Sequence, residues 1–157
     1  MRHQKAQNVR KNKRTPAQWA FPHSARNEAL KMDSTASEAF TLELPKLADW
    51  LNLNQKEHWA PRNKRAQAWR HGAHIMARQA RLPKGLMRVQ VDAYVWKKTR
   101  RVYDPHNLMP TLKPVIDGLV DYGLIPDDNT THLAGPFVHH GGYGSEKLVL
   151  VIQPLDA

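Results

Sequence analysis

The sequence predicts a single small α+β domain, a mixed β-sheet of about four strands with two main helices in the order β-α-β-α-β-β. Three patterns carry that expectation. In residues 87–96, Val89, Val91, Ala93 and Val95 fall on one side and Arg88, Gln90, Asp92 and Tyr94 on the other, the period of a half-buried strand. Ala66, Trp69, Ala73, Met76 and Ala80 recur at three- and four-residue spacing, as do Leu108, Leu112, Val115, Ile116, Leu119 and Val120. Each set makes one apolar stripe on a helix.

The elements follow in order. Phe40-Thr41-Leu42-Glu43-Leu44 alternates and stops at Pro45, a first strand. Residues 46–60 form a loop carrying Trp50, Asn52, Asn54 and Trp59. The first helix is expected from Pro61, which suits a first helical position, to the breaker Leu82-Pro83-Lys84-Gly85. After the strand 87–96 comes a basic turn of Lys97, Lys98, Arg100 and Arg101. The second helix is expected to begin at Thr111 as N-cap, leaving Pro114 in the first turn, and to end at Gly123. Residues 132–139 read as a strand interrupted by proline, Gly141-Gly142-Tyr143-Gly144 as a hairpin turn, and residues 148–152 as a central strand. Trp50 and Trp59 are assigned to packing, in the core or a dimer interface.

The 157 residues include 24 Lys and Arg against 14 Asp and Glu, a net charge of +10, which favours a polyanionic partner. Residues 1–38 stand apart as a basic, flexible N-terminal arm ahead of a domain at 39–157. From Met1 to Asn27 there are seven basic residues and no acidic one, with too few apolar residues to offset ordering entropy. With no Cys, disulfide scaffolds, thiolate metal sites and cysteine nucleophiles are excluded. No apolar run is long enough to cross a membrane, and no secretory leader is evident. A cytoplasmic protein without an organic cofactor is the expectation.

Against that basic background the acids cluster. Asp104, Asp117, Asp121, Asp127 and Asp128 fall within 25 residues, where even scatter would put about two. Carboxylates gathered in loops repel one another unless a cation neutralises them, and hard oxygen donors suit Mg²⁺ or Mn²⁺. Asp104 follows a strand; Asp127 and Asp128 follow a helix that could bring both ends to one ion. Phosphodiester hydrolysis is the chemistry such a site suggests in a polyanion-binding protein. Lys113 and Asp117, four residues apart, share a helix face, so that Lys113 could meet negative charge developing on phosphorus. The same residues also fit a solvated helix face and ordinary turns.

The run Asp104-Pro-His106-Asn107, then Lys113-Pro-Val-Ile-Asp117-Gly-Leu, then Gly123-Leu-Ile-Pro-Asp127-Asp128 resembles the signature of the RusA family of Holliday junction resolvases. These are endodeoxyribonucleases of bacteria and their phages. The resemblance is strongest over residues 103–133, compatible over 40–100, and absent from 1–38. It implies that Asp104 and Asp128 are catalytic metal ligands with Asp127 beside them, that Lys113 is the catalytic lysine, and that Asn107 and Asp117 support the site. It implies Mg²⁺, with Mn²⁺ as second candidate, a RusA-like fold, a homodimer, and four-way or branched DNA as substrate, in a bacterial or phage-encoded, nucleoid-associated protein. His106 stands where the family carries a second aspartate of the loop; imidazole is the poorer Mg²⁺ ligand. The stretch from Asn107 to Lys113 is also a few residues longer than in short family members.

A helix stripe of Arg70, His74, Arg78 and Arg81, with Lys97, Lys98, Arg100 and Arg101, would form the phosphate track. Zinc on His71 and His74 or on His139 and His140 lacks a third well-spaced ligand. Two rival functions remain from the sequence: a protein that binds junctions but lost its chemistry through His106, and a small basic RNA-binding or ribosome-associated protein.

Overall fold

The computed structural model describes residues 37–156; residues 1–36, nearly all of the expected arm, lie outside the described residues. The elements are β1 (Phe40–Pro45), α1 (Trp59–Gln79), β2 (Val89–Lys97), a 3₁₀ turn (Pro105–Leu108), α2 (Met109–Tyr122), β3 (Leu133–Tyr143) and β4 (Lys147–Pro154). They form the expected α+β domain: one four-stranded mixed sheet ordered β1-β4-β2-β3. β4 runs antiparallel to both β1 and β2, and β2 pairs parallel with β3.

Strand alternation decides where the core lies. Leu42, Leu44, Val89, Val91, Ala93, Val95, Leu148, Leu150 and Ile152 are buried, while their neighbours in sequence are half-buried or exposed. One face of the sheet therefore takes both helices, through Trp69, Ala73 and Ala77 of α1 and Leu112, Val115, Ile116 and Leu119 of α2. Trp50 stacks on Trp69 with centroids 5.2 Å apart, the core role expected of it.

Three local expectations are corrected. Gly141-Gly142-Tyr143-Gly144 is not a hairpin turn, because β3 and β4 are not neighbours: β2 lies between them. The first three of these residues belong to β3, and the link to β4 crosses the end of β2, where Gly144 N–H donates to Lys97 C=O (3.0 Å). Gly141 and Gly142 let the Trp96 indole lie on the strand; a Cβ on either would come within 2.8 Å of the ring. The second helix begins at Met109, with Pro110 in the first turn, where no N–H is required. Pro114 therefore falls in the second turn, and the stretch between Asn107 and Lys113 is absorbed into the 3₁₀ turn and the helix start. Thr111 is no cap but a fully buried clamp. Its hydroxyl accepts from Leu51 N–H (2.8 Å) and donates to Leu51 C=O (2.9 Å). The first helix starts at Trp59, two residues before Pro61, and ends at Gln79.

The helices meet at Gly118. A Cβ there would sit 2.2 Å from the Arg70 carbonyl oxygen and 3.0 Å from the Ala73 Cβ. Arg70 also binds Asp121, and the His74 ring meets Tyr122 edge-on at 6.1 Å. Both contacts advance in the same sense along the two chains, so α1 and α2 lie side by side with their N-termini at one end. No helix among the described residues is long and apolar enough to cross a membrane.

Two substitutions test this packing. Gly118→Ala should lower unfolding free energy by about 3 kcal/mol, since the backbone of α1 must move to admit the methyl. Thr111→Val, which strands both polar groups of Leu51, should cost about 2 kcal/mol. Urea midpoints, with unchanged m-values, would measure both.

Candidate active site

The 3₁₀ turn orients the first half of the site. Asp104 caps it: Oδ1 accepts from His106 N–H (2.9 Å) and lies 3.1 Å from His106 Nδ1. His106 thus turns its Nδ1 back onto Asp104, while the ring stays largely exposed. Among the described residues Asp104 Oδ2 has no hydrogen-bond partner, and the side chain is 57% exposed. Asn107 acts through its backbone. Its N–H donates to Asp104 C=O (3.1 Å), and its own C=O accepts from Leu53 N–H (2.9 Å), which ties the turn to the β1–α1 loop. Next to Asp104 in sequence, burial pushes the Tyr103 phenol up to about 12, and its hydroxyl lies 2.6 Å from His140 Nδ1.

The second half assembles on α2. Lys113 Nζ bonds Asp117 Oδ1 (2.6 Å), one helical turn on, and also Asp128 Oδ2. Asp128 is brought there by the chain after Gly123. That glycine ends α2 with φ +96°, and the buried Leu124 and Ile125 then anchor the return. Asp127 shapes this turn: its Oδ1 accepts Asp128 N–H (2.8 Å) and its Oδ2 accepts Asn129 Nδ2–H (2.7 Å). Both oxygens are engaged, so Asp127 positions Asp128 and is less available as a ligand than its place in the motif suggests.

Electrostatics follow from the bridge. The hydrogen bond from Lys113 holds the Asp128 carboxyl below the usual carboxylate range, against a smaller opposing effect of burial. Asp117 first, then Asp128, raise Lys113 above its ordinary value. The three groups form a charged cluster with one net negative charge. Lys113, with 62% side-chain exposure, is its accessible member.

The expected residues therefore divide into two groups. Lys113, Asp117 and Asp128 come together; Asp104 and His106 form a separate pair, and no hydrogen bond joins the two. Among the described residues no three His, Asp or Glu side chains converge as a ready metal cage. His139 bonds Asp92 (2.8 Å) and His140 bonds Tyr103, so the adjacent histidines face different partners.

The basic track is also redistributed. The Arg70 guanidinium grips Asp121 through Nε (2.7 Å) and Nη2 (2.8 Å), a clasp between the helices. Arg81 lies past the helix end in a left-handed conformation (φ 52°), off the stripe of Arg70, His74 and Arg78. Lys97 is half-buried, its ammonium 5.3 Å from the Trp50 ring and 5.5 Å from that of Tyr103; desolvation lowers its pKa. Lys98, Arg100 and Arg101 are exposed. Trp59, assigned to packing from sequence, is 70% exposed.

No protein-family model matches the sequence, and no curated protein does.

The bridge makes a signed prediction. Asp128 has a depressed folded pKa, so its contribution to stability is present above the unfolded value of 3.8 and is lost as pH falls through the folded value. The raised Lys113 contributes below its unfolded value of 10.5 and loses that only in strong alkali. Urea midpoints of Asp128→Asn should therefore fall less steeply than those of the native protein once pH drops below about 4. Equal slopes would mean that the ion pair does not form in solution.

Proposed function

We propose that this chain is a divalent-metal-dependent endodeoxyribonuclease of the RusA kind, which hydrolyses phosphodiester bonds at Holliday junctions as a homodimer in a bacterial cytoplasm. The observation that carries the reading is the Lys113 bridge. Three residues of the motif, Lys113, Asp117 and Asp128, separated in sequence by up to 15 positions, meet at one ammonium group. A two-fold dimer would present two such sites to a two-fold substrate.

The donor set fits a hard divalent cation. Asp104 and Asp128 offer carboxylate oxygens at partly exposed positions, and Asp104 keeps one oxygen without a partner. If the two groups close on one Mg²⁺ or Mn²⁺, the ion would polarise a phosphoryl oxygen and acidify a bound water. The protein's own groups would do the rest. Lys113 reaches solvent and can turn its charge toward the phosphoryl oxygens, where negative charge grows during displacement. Asp117, one turn away, keeps that ammonium near the site. Asp127 fixes the turn that presents Asp128. The backbone of Asn107 holds the Asp104 turn against the neighbouring loop.

One observation favours a second reading, a protein of this fold that binds junctions without cutting them. His106 fills the place of a family carboxylate, and its imidazole nitrogen sits against Asp104.

A fluorescently labelled four-way junction, incubated with Mg²⁺ and then Mn²⁺, separates the two. The native chain should nick it, and EDTA should stop the reaction. Lys113→Ala should slow nicking by about 10²–10³-fold. Asp128→Asn should slow it at least as much while junction binding survives or tightens, as repulsion of phosphate is relieved. Binding without nicking in either metal would select the second reading, and preference for RNA over branched DNA would overturn both.

A further inference from the structure

We propose that Trp59 and Leu53 form an apolar probe that stacks on a nucleobase exposed at the branch point of the DNA. The proposal rests on the reading of the chain as a branched-DNA-binding protein. Trp59 opens α1 and is 70% exposed; Leu53, in the loop before it, is 61% exposed. Trp59 thus offers a large aromatic face to solvent, of the kind that can stack on a ligand.

Their exposure belongs to an ordered segment. Asn52 Oδ1 accepts from Asn54 N–H (2.8 Å), Asn52 N–H donates to Gln55 Oε1 (3.2 Å), and Arg62 Nη1 donates to Asn52 C=O (3.3 Å). His58 Nδ1 caps the helix by accepting from Ala60 N–H (3.4 Å). A probe held this way loses little freedom on contact with a ligand.

Position and charge select a nucleic-acid base as that ligand. Leu53 N–H bonds Asn107 C=O, so the loop that leads to Trp59 is tied to the turn carrying Asp104. The shared direction of the helices places the Trp59 end of α1 beside the end of α2 that carries Lys113. Lys56, Arg62 and Lys64 flank Trp59 in the sequence, and the first turn of α1 contains no acid. Of the nearby carboxylates, Glu57 is paired with Arg65, and Asp104 lies on the turn bonded to Leu53. An aromatic surface among cations matches a base flanked by phosphates, because stacking is indifferent to base identity while the cations meet the backbone. Bases at a branch point are the ones whose faces can be uncovered with little loss of stacking.

The test uses the full chain in EDTA, so that binding is read without cleavage. A four-way junction carrying 2-aminopurine at the branch point and a linear duplex of the same sequence are the probes. The native protein should quench 2-aminopurine fluorescence as the indole stacks on the base. Trp59→Ala should abolish that quenching and weaken junction binding about tenfold, with duplex binding unchanged. Trp59→Phe should restore most of both. Loss of affinity for junction and duplex alike, or native junction binding by Trp59→Ala, would overturn the proposal. The nuclease reading fails separately: Trp59-dependent junction binding by a protein that nicks in neither metal supports the probe and removes the enzyme.

Discussion

Backbone contact between the helices at Gly118 governs the molecule. No side chain separates α2 from the Arg70 carbonyl there, so α2 settles against α1 at a fixed height and rotation. That rotation turns Leu112, Val115, Ile116 and Leu119 to the sheet and leaves Lys113 and Asp117 on the outer surface. The Arg70–Asp121 pair closes the same seam from outside, and Thr111 pins the start of α2 to Leu51. The place of Lys113 thus follows from one missing methyl group and one buried hydroxyl.

A second constraint is electrostatic. Two carboxylates at one point would raise each other's pKa and push the surrounding turn apart. Here a lysine of the same helix stands between Asp117 and Asp128 and keeps Asp128 ionised. The arrangement is an internal counter-ion for two neighbouring carboxylates. Its partners are all more than a fifth exposed, so water screens the pair and its worth to stability is small. Its value is in setting charge state and position.

The basic surface is less uniform than the net charge implies. Of the cations expected on a phosphate track, Arg70 is committed to Asp121 and Lys97 is drawn partly into the core beside Trp50. Lys98, Arg100 and Arg101 remain outward on the segment leading from β2 to Asp104. Arg78 also stays exposed on α1, so the outward positive charge divides between that helix and the segment before Asp104.

The sequence by itself determined what depends on near neighbours. Alternation in β2 and the three-four spacing in both helices announce elements whose faces must be buried, and a period survives any arrangement of the rest. The closeness of Lys113 and Asp117 is likewise helical arithmetic. Tertiary structure decided what depends on which surfaces meet. The apolar run of β4 marks a central strand but does not name its neighbours, so the crossing over β2 was invisible and the glycines before it looked like a hairpin. Thr111 beside a proline has the chemistry of a cap; only the approach of Leu51, 60 residues away, makes it a clamp. Trp59 and Trp69 are the same residue type on one helix, yet α1 overhangs the core at the first and crosses it at the second. Burial is a property of the assembled layers, and no local pattern carries it.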